Sequence, residues 1–170
     1  MRIVEYGYEI PFKCARSAIP RFFSPRNGDG CRTYEWWLRE SIPELLAAGA
    51  IKAVAHRPHV VALVDVIPKS TPGKCRLIVD LRPLNEYVEE RPFTYETHAT
   101  FRDLIEEGDL FGYYHVDVAP ADQQYLGFQL FGQFYVFAVL PFGLREACYV
   151  FTEVMKVPVR HLRSNFGCVA

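Results

Sequence analysis

Residues 68–85, PKSTPGKCRLIVDLRPLN, set the architecture that we expect for the chain. The preceding run, residues 60–67, is apolar and rich in valine, and residues 76–81 form a second run of the same kind, both typical of β-strands. Residues 69–74 lie between them and include Pro72-Gly73, which favours a turn. The pattern therefore predicts a β-hairpin with a basic tip.

The hairpin carries Lys69 and Arg76, one on each side of the turn. An arginine can bind a phosphate through two parallel hydrogen bonds, and a lysine adds a compact positive charge. The pair is suited to closing over a triphosphate. The alternative is an ordinary solvated turn, because basic hairpin tips are common on protein surfaces.

Helices are predicted on either side of the hairpin. Residues 34–48 favour a helix that Gly49 ends. Within it, the segment Ser41-Ile42-Pro43-Glu44 has the spacing of a capping box, with proline in the first turn. A shorter helix through Trp36 is expected to precede that box. Residues 99–107 form a further predicted helix.

The second half of the chain predicts another hairpin and another helix. Residues 125–129 and 134–139 are strand-like and flank a turn at Phe131-Gly132. Residues 144–157 favour a helix that Pro158 kinks or ends. Helices and hairpins in this order predict an α+β fold in which β-hairpins pack against helices.

We expect two regions along the chain. Residues 1–33 form an N-terminal arm with a loop at Asn27-Gly28-Asp29-Gly30, and this arm is expected to pack on the rest. Residues 34–170 form the main domain.

Composition excludes several classes of protein. Of the 170 residues, 50% are hydrophobic and 15% aromatic, which is typical of a folded domain and not of a disordered chain. No apolar run is long enough for a transmembrane helix or a signal peptide, so we expect no membrane association. Five scattered cysteines without a CxxC pair indicate reduced thiols. The predicted location is intracellular, cytoplasmic or nuclear, and not secreted.

Charge is unevenly distributed although the net charge is only -1. Residues 51–85 hold six bases and two acids, whereas residues 96–124 hold seven acids and one base. Such an arrangement suits a site that binds phosphates on one side and metal on the other. Two oppositely charged surface faces are the alternative, and charge alone favours this alternative.

Several motifs, in order, resemble one family. The run PKSTPGKCRLIVDLRPLNEYV is similar to the fingers hairpin of reverse transcriptases, and YLGFQLFGQFYVFAVLPFGL resembles the stretch between their first two palm motifs. GYEIPF and SIPELLAAGAI also fit, in a style closest to retrotransposons of the DIRS-like group. The resemblance covers about residues 6–163. It implies the fingers and incomplete palm of a right-hand polymerase.

The resemblance assigns roles to individual residues of the fingers. Lys69 and Arg76 would hold the triphosphate of the incoming nucleotide. Asp80 and Arg82 would brace the hairpin, and a structural salt bridge is the alternative for this pair.

The palm motifs supply further nucleotide-binding candidates by resemblance. Tyr113, in the run Gly112-Tyr113-Tyr114-His115, would stack under the sugar, with an ordinary buried tyrosine as the alternative. Leu140-Pro141-Phe142-Gly143 is predicted to form a turn that leads into the last helix. It matches the second palm motif, so Phe142 and Gly143 would contact nucleotide and template. Relatives continue with small residues, whereas Arg145-Glu146 follows here, and we expect this charged pair to lie where template and nucleotide approach.

The metal side of the resemblance is incomplete. The family uses two Mg²⁺ or Mn²⁺ ions held by one aspartate and a later Asp-Asp pair, and this sequence contains no Asp-Asp pair. Asp109 is either the first metal ligand or part of an upstream Gly-Asp, the ligand itself having been deleted. The second alignment is favoured because Asp109 follows the charged end of a predicted helix and not a buried strand.

Three functional hypotheses follow. The chain is a truncated reverse transcriptase domain derived from a retroelement and inactive as it stands; or it is a non-catalytic nucleic-acid-binding module that reuses the fingers; or it is an orphan fragment without selected function. The resemblance implies an RNA or DNA primer–template and dNTP as partners. We also expect self-association through an exposed palm surface.

Overall fold

The structure, a computed structural model that describes residues 2–24, 26–91 and 116–154, has the predicted mixed α+β class. The helices are α1 (Arg2–Tyr6), α2 (Gly30–Thr33), α3 (Glu35–Ala47), α4 (Arg82–Asn85) and α5 (147–154). The strands are β1 (Phe22–Phe23), β2 (Ile51–Val54), β3 (Val60–Ala62), β4 (Val64–Pro68), β5 (Cys75–Val79), β6 (Gly127–Leu130) and β7 (Gln133–Phe137).

Two sheets organise the described residues. The larger has the strand order β1-β3-β6-β7-β2, and the smaller is the antiparallel pair β4-β5. Strand β3 runs parallel to both β1 and β6, while β7 is antiparallel to β6 and β2. The small sheet therefore projects as a separate hairpin from the end of β3.

The predicted strand 60–67 is wrong as a single element. Strand β3 belongs to the large sheet and β4 to the hairpin, and the chain changes sheets at Leu63. The carbonyl of Leu63 accepts a hydrogen bond from the Asp80 N–H at 2.9 Å, and that of Val64 accepts one from Gly28 at 2.8 Å. Local β-propensity is high throughout the run, so only these long-range partners reveal the break.

The second predicted hairpin is confirmed as β6 and β7. Its turn is Phe131-Gly132, with φ angles of +50° and +79°. A positive φ is natural for Gly132 but unusual for an aromatic residue. The first strand begins two residues later than predicted because residues Gln123–Tyr125 form a 3₁₀ turn.

Helix α3 is one continuous helix, so the predicted capping box at residues 41–44 is wrong. Ser41 is buried within the helix, and Pro43 lies inside it. Burial of Leu38 and Ile42 against the core outweighs the local preference for a new helix start. The predicted stop at Gly49 is confirmed: its φ is +70°, and the Ala50 N–H donates to the Leu45 carbonyl at 2.9 Å, as in a Schellman motif.

The N-terminal segment packs closely on residues 117–122. Tyr8 forms an isolated parallel bridge with Val118. The buried carboxylate of Asp122 accepts a hydrogen bond from the Ile10 N–H at 2.8 Å and two from the Arg16 guanidinium at 2.6 and 2.8 Å. The Asp122 side chain thus binds the arm at two positions, Ile10 and Arg16.

Helix α5 begins at residue 147, three residues later than predicted, after a turn at residues 145–146. The predicted helix 99–107 and Pro158 lie outside the described residues. No helix among the described residues is both long and apolar enough to cross a membrane.

Candidate functional site

The hairpin β4-β5 brings Lys69 and Arg76 to one place. Both are exposed, and both line a depression of about 260 Å³ together with Ser70 and Thr71. Arg76 lies opposite Ile67 in the ladder, and the Lys69 N–H closes the turn by donating to the Lys74 carbonyl at 2.8 Å. The depression is lined by two cations, two hydroxyls and no carboxylate. This arrangement is suited to an anionic ligand.

Asp80 and Arg82 form an ion pair at the base of the hairpin. The guanidinium donates from Nε and from a terminal nitrogen to the two carboxylate oxygens at 2.8 and 2.7 Å, and the Arg82 backbone N–H donates at 3.1 Å. These bonds hold the pKa of Asp80 below its ordinary value. The pair contributes stability at neutral pH that is lost as the pH falls through this lowered pKa. The contribution is small, because the Arg82 side chain is 88% exposed.

The turn at residues 140–143, which we call the second turn, lies against the base of the same hairpin. Gly143 has a φ of +97°, and a Cβ there would lie 3.1 Å from the Val79 carbonyl oxygen at the end of β5. Phe142 is half exposed. The close approach at Gly143 explains why this turn contains glycine.

Asn85 fixes this turn, a role that the sequence did not suggest. Its side-chain amide donates to the Gly143 carbonyl at 2.8 Å, and its amide oxygen accepts from the Arg145 N–H at 2.8 Å. Because an asparagine amide both donates and accepts, one side chain satisfies both sides of the turn. The only sequence signal is that Asn85 closes the same motif that contains Asp80 and Arg82.

The expectation that Arg145-Glu146 lies where template and nucleotide approach is wrong for the glutamate. Glu146 is 1% exposed and accepts a hydrogen bond from the Tyr8 hydroxyl at 2.9 Å. Arg145 lies 3.5 Å from the carboxylate of Glu90. The buried glutamate faces the arm because Tyr8, far away in sequence, supplies its donor.

The predicted metal ligand and the predicted sugar-stacking residue, Asp109 and Tyr113, fall outside the described residues. Of the acidic stretch, Asp117 is exposed and Asp122 is already engaged by Arg16. The described residues contain no group of three His, Cys, Asp or Glu side chains that could hold a metal ion. They do not fit the predicted metal pair, and we assign no step to it.

The fold is similar to part of the fold of foamy viral protease–reverse transcriptases. Two foamy viral structures show the likeness. The prototype foamy virus protease–reverse transcriptase CSH mutant superposes with a TM-score of 0.68 at 17% identity, over 89% of this chain and 21% of that one. The foamy viral protease–reverse transcriptase dRH in complex with double-stranded DNA gives 0.65 at 18% identity, over 96% and 28%.

Sequence comparison finds similarity to two viral polyproteins. The genome polyproteins of two isolates of Petunia vein clearing virus, Shepherd and Hohn, are each 26% identical to this chain over 90 residues. The match covers 49% of the chain and 4% of each polyprotein. No family model matches the chain. The predicted resemblance to reverse transcriptases is confirmed, while assignment to the DIRS-like group stays a prediction.

Proposed function

We propose that this chain is a fingers and partial palm region derived from a retroelement reverse transcriptase, and that its hairpin binds the triphosphate of a dNTP beside an RNA or DNA primer–template. The observation that carries the proposal is the shared depression of Lys69 and Arg76. The resemblance implies that these two residues have this role.

The surroundings of the hairpin support the same function. Asp80 neutralises Arg82 at the base of the hairpin, and Lys69 and Arg76 are the two cations that line the depression. The Asn85 amide and Gly143 hold the second turn against the end of β5. The base of the hairpin is therefore already fixed before a ligand binds at the tip. This lowers the conformational entropy that the hairpin loses on binding.

Alanine at Arg76 is expected to weaken binding of inorganic triphosphate by about tenfold or more, because a charged hydrogen-bonding group is lost. Lys69→Ala should weaken binding by a smaller factor, since lysine acts as a point charge. Titration calorimetry at low salt measures both. Lys74→Ala is the matched control, because it removes the same charge as Lys69→Ala from the same hairpin but does not line the depression.

Equal weakening by all three variants would contradict the proposal, since it would show only the loss of net positive charge. Unchanged binding in the double variant Lys69→Ala, Arg76→Ala would contradict it as well.

We expect no primer extension by the 170-residue polypeptide with either Mg²⁺ or Mn²⁺, because it contains no Asp-Asp pair to hold the two ions that the family uses. A viral reverse transcriptase incubated with the same labelled primer–template is the positive control. Extension above background that disappears with Asp109→Ala would overturn this expectation and identify Asp109 as a ligand.

A non-catalytic nucleic-acid-binding module is the second candidate, and one surface observation favours it. Phe23 is 42% exposed, and the Arg57 guanidinium lies 4.5 Å from its ring centroid. An exposed aromatic beside arginine is suited to stacking an unpaired base. This candidate requires single-strand binding that weakens steeply with salt and survives the loss of Lys69 and Arg76.

Two further parts of the proposal concern setting and assembly. We propose an intracellular location, cytoplasmic or nuclear, supported by free thiols at Cys14, Cys31, Cys75 and Cys148. Self-association is proposed through the outer strands of the large sheet, since β1 and β2 end the strand order.

A further inference from the structure

Two short segments that are distant in sequence lie in contact, and the order of acid and base in one is the reverse of that in the other. Glu90-Arg91 lies just after α4, and Arg145-Glu146 forms the turn before α5. Arg145 lies 3.5 Å from the Glu90 carboxylate, and the Arg91 Nε lies 3.5 Å from Glu146 Oε1. An acid-base pair therefore faces a base-acid pair, so that both contacts are attractive.

The two contacts differ in depth. The Glu90 side chain is 76% exposed, whereas that of Glu146 is 1% exposed. A buried carboxylate is costly unless it is paired and hydrogen-bonded. Arg91 is half exposed and also lies 3.8 Å from Glu89, so it reaches Glu146 from the surface. The inner contact, between Arg91 and the buried Glu146, therefore depends more strongly on its partner than the outer contact between Arg145 and Glu90.

Tyr8 joins the arm to this arrangement. Its hydroxyl donates to Glu146 Oε2 at 2.9 Å, and its backbone is held by the Asp117 carbonyl at 2.7 Å and the Ala119 N–H at 2.9 Å. Burial and the neighbouring Glu146 carboxylate raise the pKa of Tyr8 well above its ordinary value. The hydroxyl therefore keeps its proton and remains a donor at neutral pH. Among the described residues, Glu146 Oε1 has no hydrogen bond, which leaves Arg91 as its compensating charge.

The Asn85 amide connects this arrangement to the second turn. The amide donates a hydrogen bond to the Gly143 carbonyl and accepts one from the Arg145 N–H. One side chain therefore links the turn to the first residue of the charged pair. The start of α5 follows at once, where Val150 N–H donates to the Glu146 carbonyl at 2.9 Å. Any movement of Glu146 must therefore shift both the turn and the first helical bonds.

We propose that these residues form a latch, made of Tyr8, Glu90, Arg91, Arg145 and Glu146, which holds the turn at 140–143 and the start of α5 closed against the arm and α4. Opening of the latch releases the turn and helix as one unit while strands β6 and β7 stay paired. The arm thereby controls the position of a turn that lies against the base of the hairpin whose tip carries the candidate nucleotide site. The latch itself does not depend on nucleotide binding, and only its influence on the nucleotide rests on the proposed function.

Hydrogen exchange with mass spectrometry tests the latch. In Arg91→Ala, amides of residues 144–154 should exchange about tenfold faster, while those of residues 127–137 keep their rate. Arg145→Glu should also accelerate residues 144–154, and adding Glu90→Arg should restore slow exchange by reversing the pair. Arg32→Ala is the control, since it removes an arginine whose 3.9 Å contact with Asp29 is exposed to solvent.

Two results would overturn the latch. One is unchanged exchange in residues 144–154 in both single variants. The other is equal acceleration in residues 127–137, which would show a general loss of stability. If Glu90→Arg fails to restore slow exchange in Arg145→Glu, the contact between Arg145 and Glu90 is not part of the latch. None of these readouts uses a nucleotide, so failure here is distinguishable from failure of the hairpin to bind triphosphate.

Discussion

Replacing Gly127 with alanine is expected to lower the free energy of unfolding by about 3 kcal/mol, in the range for overpacking of a filled core. A Cβ at this position would lie 2.5 Å from the Val60 carbonyl oxygen and 2.6 Å from Pro58 Cβ. The first neighbour is backbone in the adjacent strand and cannot rotate away. The strands β3 and β6 must therefore separate locally, which weakens the centre of the large sheet.

Urea denaturation followed by circular dichroism measures this loss. Gly132→Ala is the matched control, since Gly132 lies in the turn between β6 and β7 and a Cβ there would have no neighbour within 4 Å. Its φ of +79° costs alanine about 1 kcal/mol. A loss at Gly127 no larger than the loss at Gly132 would contradict the expected clash between the added Cβ and β3.

Asp122→Ala is expected to cost about 3 kcal/mol or more, because a fully buried carboxylate that accepts three hydrogen bonds is removed. The Ile10 N–H loses its acceptor in the interior. Arg16 loses its partner but can regain water, since 46% of its side chain is exposed. We expect the arm to detach before the rest unfolds, which limited proteolysis near Arg16 would detect.

Glu35→Ala is the control for this variant. Glu35 also accepts from an arginine, Arg39, at 2.6 Å, but both side chains are substantially exposed. Exposed pairs of this type contribute less than about 1 kcal/mol. If Glu35→Ala and Asp122→Ala destabilise the protein equally, burial of the Asp122 carboxylate is not the source of its contribution.

The elements that sequence predicted best are those with strong local signals. The hairpin around Lys69 and Arg76 was predicted because two strand-like apolar runs flank a Pro-Gly turn, and β4 and β5 confirm it. The end of α3 at Gly49 was predicted because glycine adopts a positive φ without steric cost. The placement of both cations on one depression followed from the same hairpin geometry.

The elements that sequence missed depend on distant partners. Strands β1 and β2 are two and four residues long, and their composition does not distinguish them from loop. Each becomes a strand because β3 or β7 offers a free edge. The same reason explains the missed break at Leu63, where Asp80 supplies the hydrogen bond that ends one sheet and begins the other.

The sequence alone was sufficient for the basic hairpin, for the turn at Gly143 and for the absence of an Asp-Asp pair, because turn chemistry and motif spacing act within a few residues. Tertiary structure alone showed that Glu146 faces the arm and not the candidate nucleotide site, and that Asn85 holds the turn. The Tyr8 hydroxyl and the Glu146 carboxylate are 138 residues apart in the chain. Whether a charged residue is buried depends on the donor that folding brings to it, and no local pattern encodes that partner.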